Sequence, residues 1–278
     1  MKKKIVAIGL AAAMSVTAVG VMAGCSGADI TVSGSSSVAP LMEVLAAAYM
    51  DKLAADDDSS NDVEIEVITS DSGTGVSDAQ NGRNDFGMAS RALKDNEKGS
   101  VTSKQIATDG VALIVNTSVT DVTDVTGAQV YELYANGTAI GGLSAAISRE
   151  DGSGTRDAFD SLIKSADGAE LADLEKFADC VSEETGTGAV KTQVSGNAAV
   201  LGYISLGSVD NTIKTLKFEG VEATAENVKS GDYKLSRPFN IVYTSEDALS
   251  DKAKAFIDFI MSAEGQAIVE EEGYVSVI

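Results

Sequence analysis

Three short stretches of this sequence are built almost wholly from small hydroxylic residues and glycine, and the third also carries arginine. They are Ser33-Gly34-Ser35-Ser36-Ser37, Ser70-Asp71-Ser72-Gly73-Thr74-Gly75, and Ser148-Arg149-Glu150-Asp151-Gly152-Ser153-Gly154-Thr155-Arg156. Hydroxyls and backbone N–H groups donate hydrogen bonds without adding charge, and glycine lets a ligand approach the backbone closely. A guanidinium adds a planar fork matched to oxyanions. The chemistry these residue types suit is anion binding. Each stretch alone also reads as ordinary helix capping or turn sequence. Arg149 alone reads equally well as an ion-pair partner of Glu150 or Asp151. No Gly-Lys-Ser/Thr follows the glycines, which argues against nucleotide hydrolysis.

The surrounding periodicity explains how such stretches would be positioned. Apolar residues at Val38, Leu41, Met42, Leu45 and Tyr49 predict a helix over 38–53. Residues 30–32, 63–68, 85–89, 111–115, 145–148, 201–204 and 239–243 read as strands. Helices are expected over 125–134, 155–163, 250–262 and 264–271. Each hydroxylic stretch therefore follows a strand and precedes a helix. A helix start exposes unpaired N–H groups and a partial positive charge, so the placement itself favours an anion. Alternating β and α units predict an α/β fold with mainly parallel sheet. No single linker divides the chain, so two lobes would require more than one crossing between them.

Composition narrows the chemistry. Histidine and tryptophan are absent. Without imidazole, Ser36 and Ser153 lack the base that a serine-hydrolase triad uses, and zinc sites built on His are excluded. No EF-hand spacing appears, and the acidic run from Asp56 to Asp62 reads as a solvated loop. The chain holds 21 Lys and Arg against 42 Asp and Glu. Three of those lysines, Lys2, Lys3 and Lys4, precede an apolar run that ends at Met22-Ala23-Gly24-Cys25, the layout of an export signal. Removing residues 1–24 leaves three fewer basic groups and a net charge of −24, a surface that repels nucleic acid. Small residues leading into a cysteine resemble a bacterial lipobox, although Met22 stands where leucine is commoner. That makes Cys25 the expected lipid-bearing N-terminus and the point of membrane attachment. Cys180 is then without a disulfide partner and reads as a small hydrophobe.

The three stretches, in this order, resemble the phosphate-binding protein of bacterial phosphate ABC importers. The likeness extends over nearly the whole exported chain. It includes Gly34-Ser35-Ser36-Ser37-Val38-Ala39-Pro40, Ser72-Gly73-Thr74-Gly75, Phe86-Gly87-Met88-Ala89-Ser90-Arg91, Asp109-Gly110-Val111-Ala112, Leu201-Gly202-Tyr203-Ile204-Ser205 and Gly273-Tyr274-Val275. Its most specific element runs from Arg149 to Arg156. The resemblance implies a two-lobed α/β clamp of the periplasmic-binding-protein kind with the anion in its cleft. Residues 28–108 with 244–278 would form one lobe and 109–243 the other. It implies a monomer that binds inorganic phosphate, uses no cofactor, catalyses no reaction and delivers its ligand to permease subunits. A sensor or adhesin on the same fold is the alternative. The implied phosphate contacts are Ser36, Ser37, Ser72, Ser90, Arg91, Arg149, Ser153, Gly154 and Thr155. Many members carry an aspartate after the Phe-Gly strand to accept the phosphate proton. Ser90-Arg91 stands there instead, leaving Asp71, Asp109 and Asp157 as candidate acceptors.

Overall fold

The computed structural model describes residues 27–55 and 62–278, so the leader, Cys25 and most of the acidic run lie outside the described residues. The chain opens with β1 (Ile30–Ser35), α1 (Ala39–Ala54), β2 (Ile65–Ser70), α2 (Ser72–Gln80) and β3 (Phe86–Ala89). A long β4 (Thr102–Asn116) leads into β5 (Asp124–Val125), α3 (Gly127–Asn136), β6 (Ala145–Arg149) and α4 (Gly154–Leu162). Then come β7 (Val181–Glu184), α5 (Gly186–Gly196), β8 (Val200–Ser205), β9 (Ile213–Thr215), β10 (Lys217–Phe218) and α6 (Ala225–Ser230). The last elements are β11 (Ser236–Tyr243), α7 (Asp251–Ile260) and α8 (Ala263–Glu271).

The strand order β2-β1-β3-β11-β4-β8-β6-β7 places a parallel trio at each end. β2, β1 and β3 run parallel, as do β8, β6 and β7. The middle differs from the mainly parallel expectation, because β11 and β4 pair antiparallel to their neighbours. β4 also explains how the halves are joined. Its first part, Thr102 to Gly110, pairs with β11, and its second part, from Val111, pairs with β8. The sequence revealed only the second part. Val111 to Val115 is buried and apolar, whereas Thr102, Ser103 and Gln105 are exposed and carry no apolar run.

Two principal cores follow from this layout. One packs Ile30, Val32, Leu41, Met42, Leu45, Phe86 and Met88 against Phe239, Ile241, Phe256 and Ile260. The α1 residues in it are those whose helical spacing marked them in the sequence, and removing their apolar surface from water holds the helix down. The other gathers Val111, Leu113, Tyr134, Phe159, Leu201, Tyr203 and Tyr233. There Phe159 of α4 stacks on Tyr203 of β8 with ring centroids 3.8 Å apart. Cys180 lies half-buried against this second core as a free thiol. α3 starts two residues later than expected, since Thr126 and Gln129 form a reciprocal capping box ahead of it.

Where the strands pass between the halves, Arg237 of β11 donates from Nε and Nη2 to Asp109 Oδ2 at 3.1 and 2.9 Å. Ser205 Oγ and the Leu206 N–H complete the Asp109 carboxylate at 2.9 and 3.2 Å. The two side chains are 1% and 0% exposed. Burial pushes the Asp109 carboxyl above its ordinary value, against the opposing pull of Arg237. Asp109 is therefore a structural partner of Arg237, not the free acceptor that the sequence allowed. Asp109→Ala would strand a buried guanidinium and is expected to cost about 3–5 kcal/mol. The readout is a lowered urea midpoint with unchanged slope, and adding Arg237→Met should restore much of it. Wild-type stability in Asp109→Ala would contradict this role.

Candidate functional site

The hydroxylic stretches converge because the backbones beneath them touch. Gly34 in β1 adopts φ +134°, and a Cβ there would stand 2.5 Å from the Met88 carbonyl oxygen and 3.0 Å from Gly75 Cα. No side chain fits, so α2 is laid directly across β1 and β3. That brings Ser35, Ser72 and Ser90 together. Ser35 Oγ donates to Ser90 Oγ at 3.0 Å, the Ser90 N–H donates to Ser72 Oγ at 3.0 Å, and the Ser72 and Ser90 hydroxyls lie 3.3 Å apart. Ser72 and Ser90 are fully buried.

From the other half, β6 delivers Arg149 and α4 begins at Gly154. A Cβ on Gly154 would sit 2.3 Å from Ser72 Oγ and 2.7 Å from Ser90 Oγ, so only glycine lets the α4 start reach those hydroxyls. Thr155 Oγ1 lies 2.9 Å from Ser37 Oγ, and the Gly73 N–H donates to the Gly152 carbonyl at 3.1 Å. At these points the two halves meet through neutral donors and acceptors.

Arg149 is the charged centre, 1% exposed. Its Nε and Nη2 donate to the two oxygens of Glu150 at 2.8 and 2.9 Å, and Nη2 also donates to Ser36 Oγ at 3.1 Å. Among the described residues, Nη1 is buried with no hydrogen-bond partner. The ion-pair reading of Arg149 is thus realised on one edge, while the other edge is left for a further acceptor. One edge of the guanidinium is an ion pair with Glu150, and the end edge, Nη1 and Nη2, faces the serines. Glu150 Oε2 also accepts the Gly186 N–H at 3.2 Å, tying the pair to the start of α5. From below, Arg156 Nη1 donates to the Arg149 carbonyl at 2.9 Å, and the Arg149 N–H donates to Tyr203 Oη at 3.3 Å.

The helix starts differ in a way that matters for an anion. Asp71 caps α2 by accepting the Thr74 N–H, and Ser153 caps α4 by accepting the Arg156 N–H. Among the described residues, no side-chain hydrogen bond caps α1 or α5. Ordinary capping therefore accounts for Ser153 and not for Ser36 or Ser37. Thr187, in the first turn of α5, lies 3.5 Å from Ser36 Oγ and 3.4 Å from Ser37 Oγ.

Of the residues singled out from the sequence, Ser36, Ser37, Ser72, Ser90, Arg149, Ser153, Gly154 and Thr155 fall in or directly beneath this cluster. Arg91 lies outside this cluster. Its guanidinium is taken by Glu97 through bonds of 2.7 and 2.8 Å and by Asp157 at 2.9 Å. Burial raises the Glu97 carboxyl, but the Arg91 fork and the Lys94 N–H outweigh it and hold the group below its ordinary value. The other candidate acceptors are engaged too. Asp71 receives the Thr74 N–H and hydroxyl at 2.8 and 2.6 Å, and Asp157 pairs with Arg91 and Lys94. Sequence reasoning missed Ser35, the closing role of Glu150, and Thr187. The last had a signal, since Gly186-Thr187-Gly188 repeats the strand, small-residue, helix layout. Its strand, Val-Ser-Glu-Glu, is too polar and exposed to announce itself.

Comparison with known proteins agrees with this architecture. The family profile of the PBP superfamily domain matches residues 22–264. A solved Clostridium perfringens structure, described as a phosphate ABC transporter substrate-binding protein with bound phosphate, superposes with TM-score 0.81 and 39% identity. That match covers 90% of this chain and 99% of the other. The phosphate-binding protein PstS 2 of Streptococcus agalactiae is 43% identical over 133 residues, 46% of this chain and 44% of that protein's own length. The chain thus matches less than half the length of that streptococcal relative. The phosphate-binding protein PstS of Bacillus subtilis is 28% identical over 262 residues, 90% of this chain and 81% of the relative. The fold and site define a two-lobed α/β binding protein. The chain belongs to the PBP superfamily and, within it, to the phosphate ABC transporter substrate-binding proteins.

Proposed function

We propose that this protein is an extracytoplasmic receptor that closes on inorganic phosphate and delivers it to the permease subunits of an ABC importer. The observation that carries the reading is the end edge of Arg149, buried, with Nη1 unpaired among the described residues and Nη2 on the half-buried Ser36 hydroxyl, next in sequence to the buried Ser37. Ser36, Ser37, Ser72, Ser90 and Thr155 would supply hydroxyls, with backbone donors from Gly154 and the starts of α1 and α5. Residues 28–108 with 244–278 act as one lobe and most of 109–243 as the other, with β11 belonging to the first, since its Phe239 and Ile241 pack in the first core and it pairs with β3. The protein works as a monomer, held to the membrane by lipid on Cys25 after removal of residues 1–24.

The physical case is one of matched dipoles. Arg149 and Glu150 together are neutral, so phosphate is received by N–H and O–H groups and the end of one guanidinium. Fixed donors in a water-excluded site act at low dielectric, while the many surface acids are screened over about 10 Å. With Asp71, Asp109 and Asp157 engaged, hydroxyls take the proton of hydrogen phosphate, since a hydroxyl accepts as well as donates.

Two experiments test the reading. In calorimetric titration with phosphate, Arg149→Ala should lose about 2–5 kcal/mol, as for a desolvated charge pair, or roughly 30-fold to several-thousand-fold in affinity. Arg149→Lys should recover only part, because an ammonium lacks the planar fork. Arg149→Ala with Glu150→Gln separates loss of the guanidinium from the charge stranded on Glu150. Near wild-type affinity in all three would place the site elsewhere. For the anchor, protein expressed with its leader in a bacterium should partition into detergent, and Cys25→Ala should not. Recovery of the parent as soluble, unlipidated protein would remove the anchor.

A further inference from the structure

Arg91 and Asp157 were both candidates for touching the anion, and the structure instead binds them to each other across the two halves. Arg91 follows β3 on one side, and Asp157 sits in the first turn of α4 on the other. Arg91 Nε lies 2.9 Å from Asp157 Oδ2, and Lys94 Nζ lies 2.8 Å from the same oxygen. We propose that Asp157 is the latch of the receptor, an ion-pair partner that exists only when the lobes are closed and that sets how fast captured phosphate escapes. The inference rests on the reading of the protein as a two-lobed phosphate receptor.

Ser37, Ser72, Ser90 and Arg149 are at most 1% exposed, so no anion reaches them while the halves touch. The chain passes between the halves along β4 and β11 and can part there. Parting would break every contact between the α4 start and the first half. Most of those contacts, such as Gly73 to Gly152 and Ser37 to Thr155, are neutral hydrogen bonds that water replaces at little net cost. The contact of Asp157 with two cations is the charged one among them. Arg91 is 6% exposed and already fixed by its fork to Glu97, so little side-chain freedom is lost when Asp157 arrives. Glu97 also keeps Arg91 compensated when the lobes open. The latch can therefore be made and broken without stranding a buried charge. Asp157, in addition, favours the α4 dipole, but that contribution is the same open or closed.

The surroundings make the latch sensitive to salt. Asp157 and Lys94 are 31% and 48% exposed, and they border a cleft of about 410 Å³ that Arg91 and Arg237 also line. Ions enter such a cleft and weaken the pair. They reach the buried serine cluster far less.

The test loads the full lipidated chain, in detergent micelles, with radiolabelled inorganic phosphate and follows release into excess unlabelled phosphate. Asp157→Asn should release about five- to thirtyfold faster, the scale of two converging, partly exposed ion pairs. Its association rate and unliganded melting temperature should stay near the parent's. Parental release should quicken with added salt, and release from Asp157→Asn should not. Asp179→Asn removes the same charge from an exposed site on the same lobe and should behave as the parent. Equal release rates for Asp157→Asn and the parent would overturn the latch, as would an equal acceleration by Asp179→Asn, which would reveal a general charge effect. Failure of the parent to retain any phosphate would instead overturn the phosphate reading on which the latch rests.

Discussion

An anion leaves water only for a place that offers as many well-aimed donors as its hydration shell did, and the way this fold gathers helix starts suits that exchange. The donors are backbone and hydroxyl groups at the starts of helices, where N–H groups have no intrahelical partner. Such groups are useful only if several starts face one point. The parallel trios do this, because strands running the same way end on the same side and release their helices there. Gly34, Gly75 and Gly154 then remove the side chains that would hold those starts apart.

The same requirement explains the pairing of Arg149 with Glu150. A lone buried guanidinium would be costly before any ligand arrived. The neighbouring carboxylate compensates it and fixes its plane, leaving the end edge directed at the serines. The site is thus prepared for an anion without carrying net charge of its own. That also reconciles an anion site with a strongly acidic chain, since exposed acids are screened by salt and the buried donors act locally.

Much of this was legible in residue types. Ser, Gly and Thr between an apolar strand and an amphipathic helix leave few structural options, so the three helix starts were readable, whereas Arg149 read equally well as an ion-pair partner. Helices α1, α7 and α8 followed from apolar spacing alone. What stayed hidden depended on partners distant in sequence. Arg91 beside Ser90 looks like a ligand-binding residue until Glu97 and Asp157 are seen to occupy it. Asp109 looks free until Arg237, from a strand 128 residues later, closes on it. The first half of β4 and the strand before α5 are polar on their exposed faces, and periodicity is silent where only backbone pairing holds an element. Charged residues in particular declare their chemistry in the sequence but not their partner.

The central claim is that the closed cluster around Arg149 is built for phosphate. It is tested most directly by asking what the protein carries when taken from the cell. Protein purified under native conditions in phosphate-free buffer, then denatured, should release close to one equivalent of inorganic phosphate by ion chromatography. Release of a carboxylate or another organic solute in that amount, with no phosphate, would contradict the account.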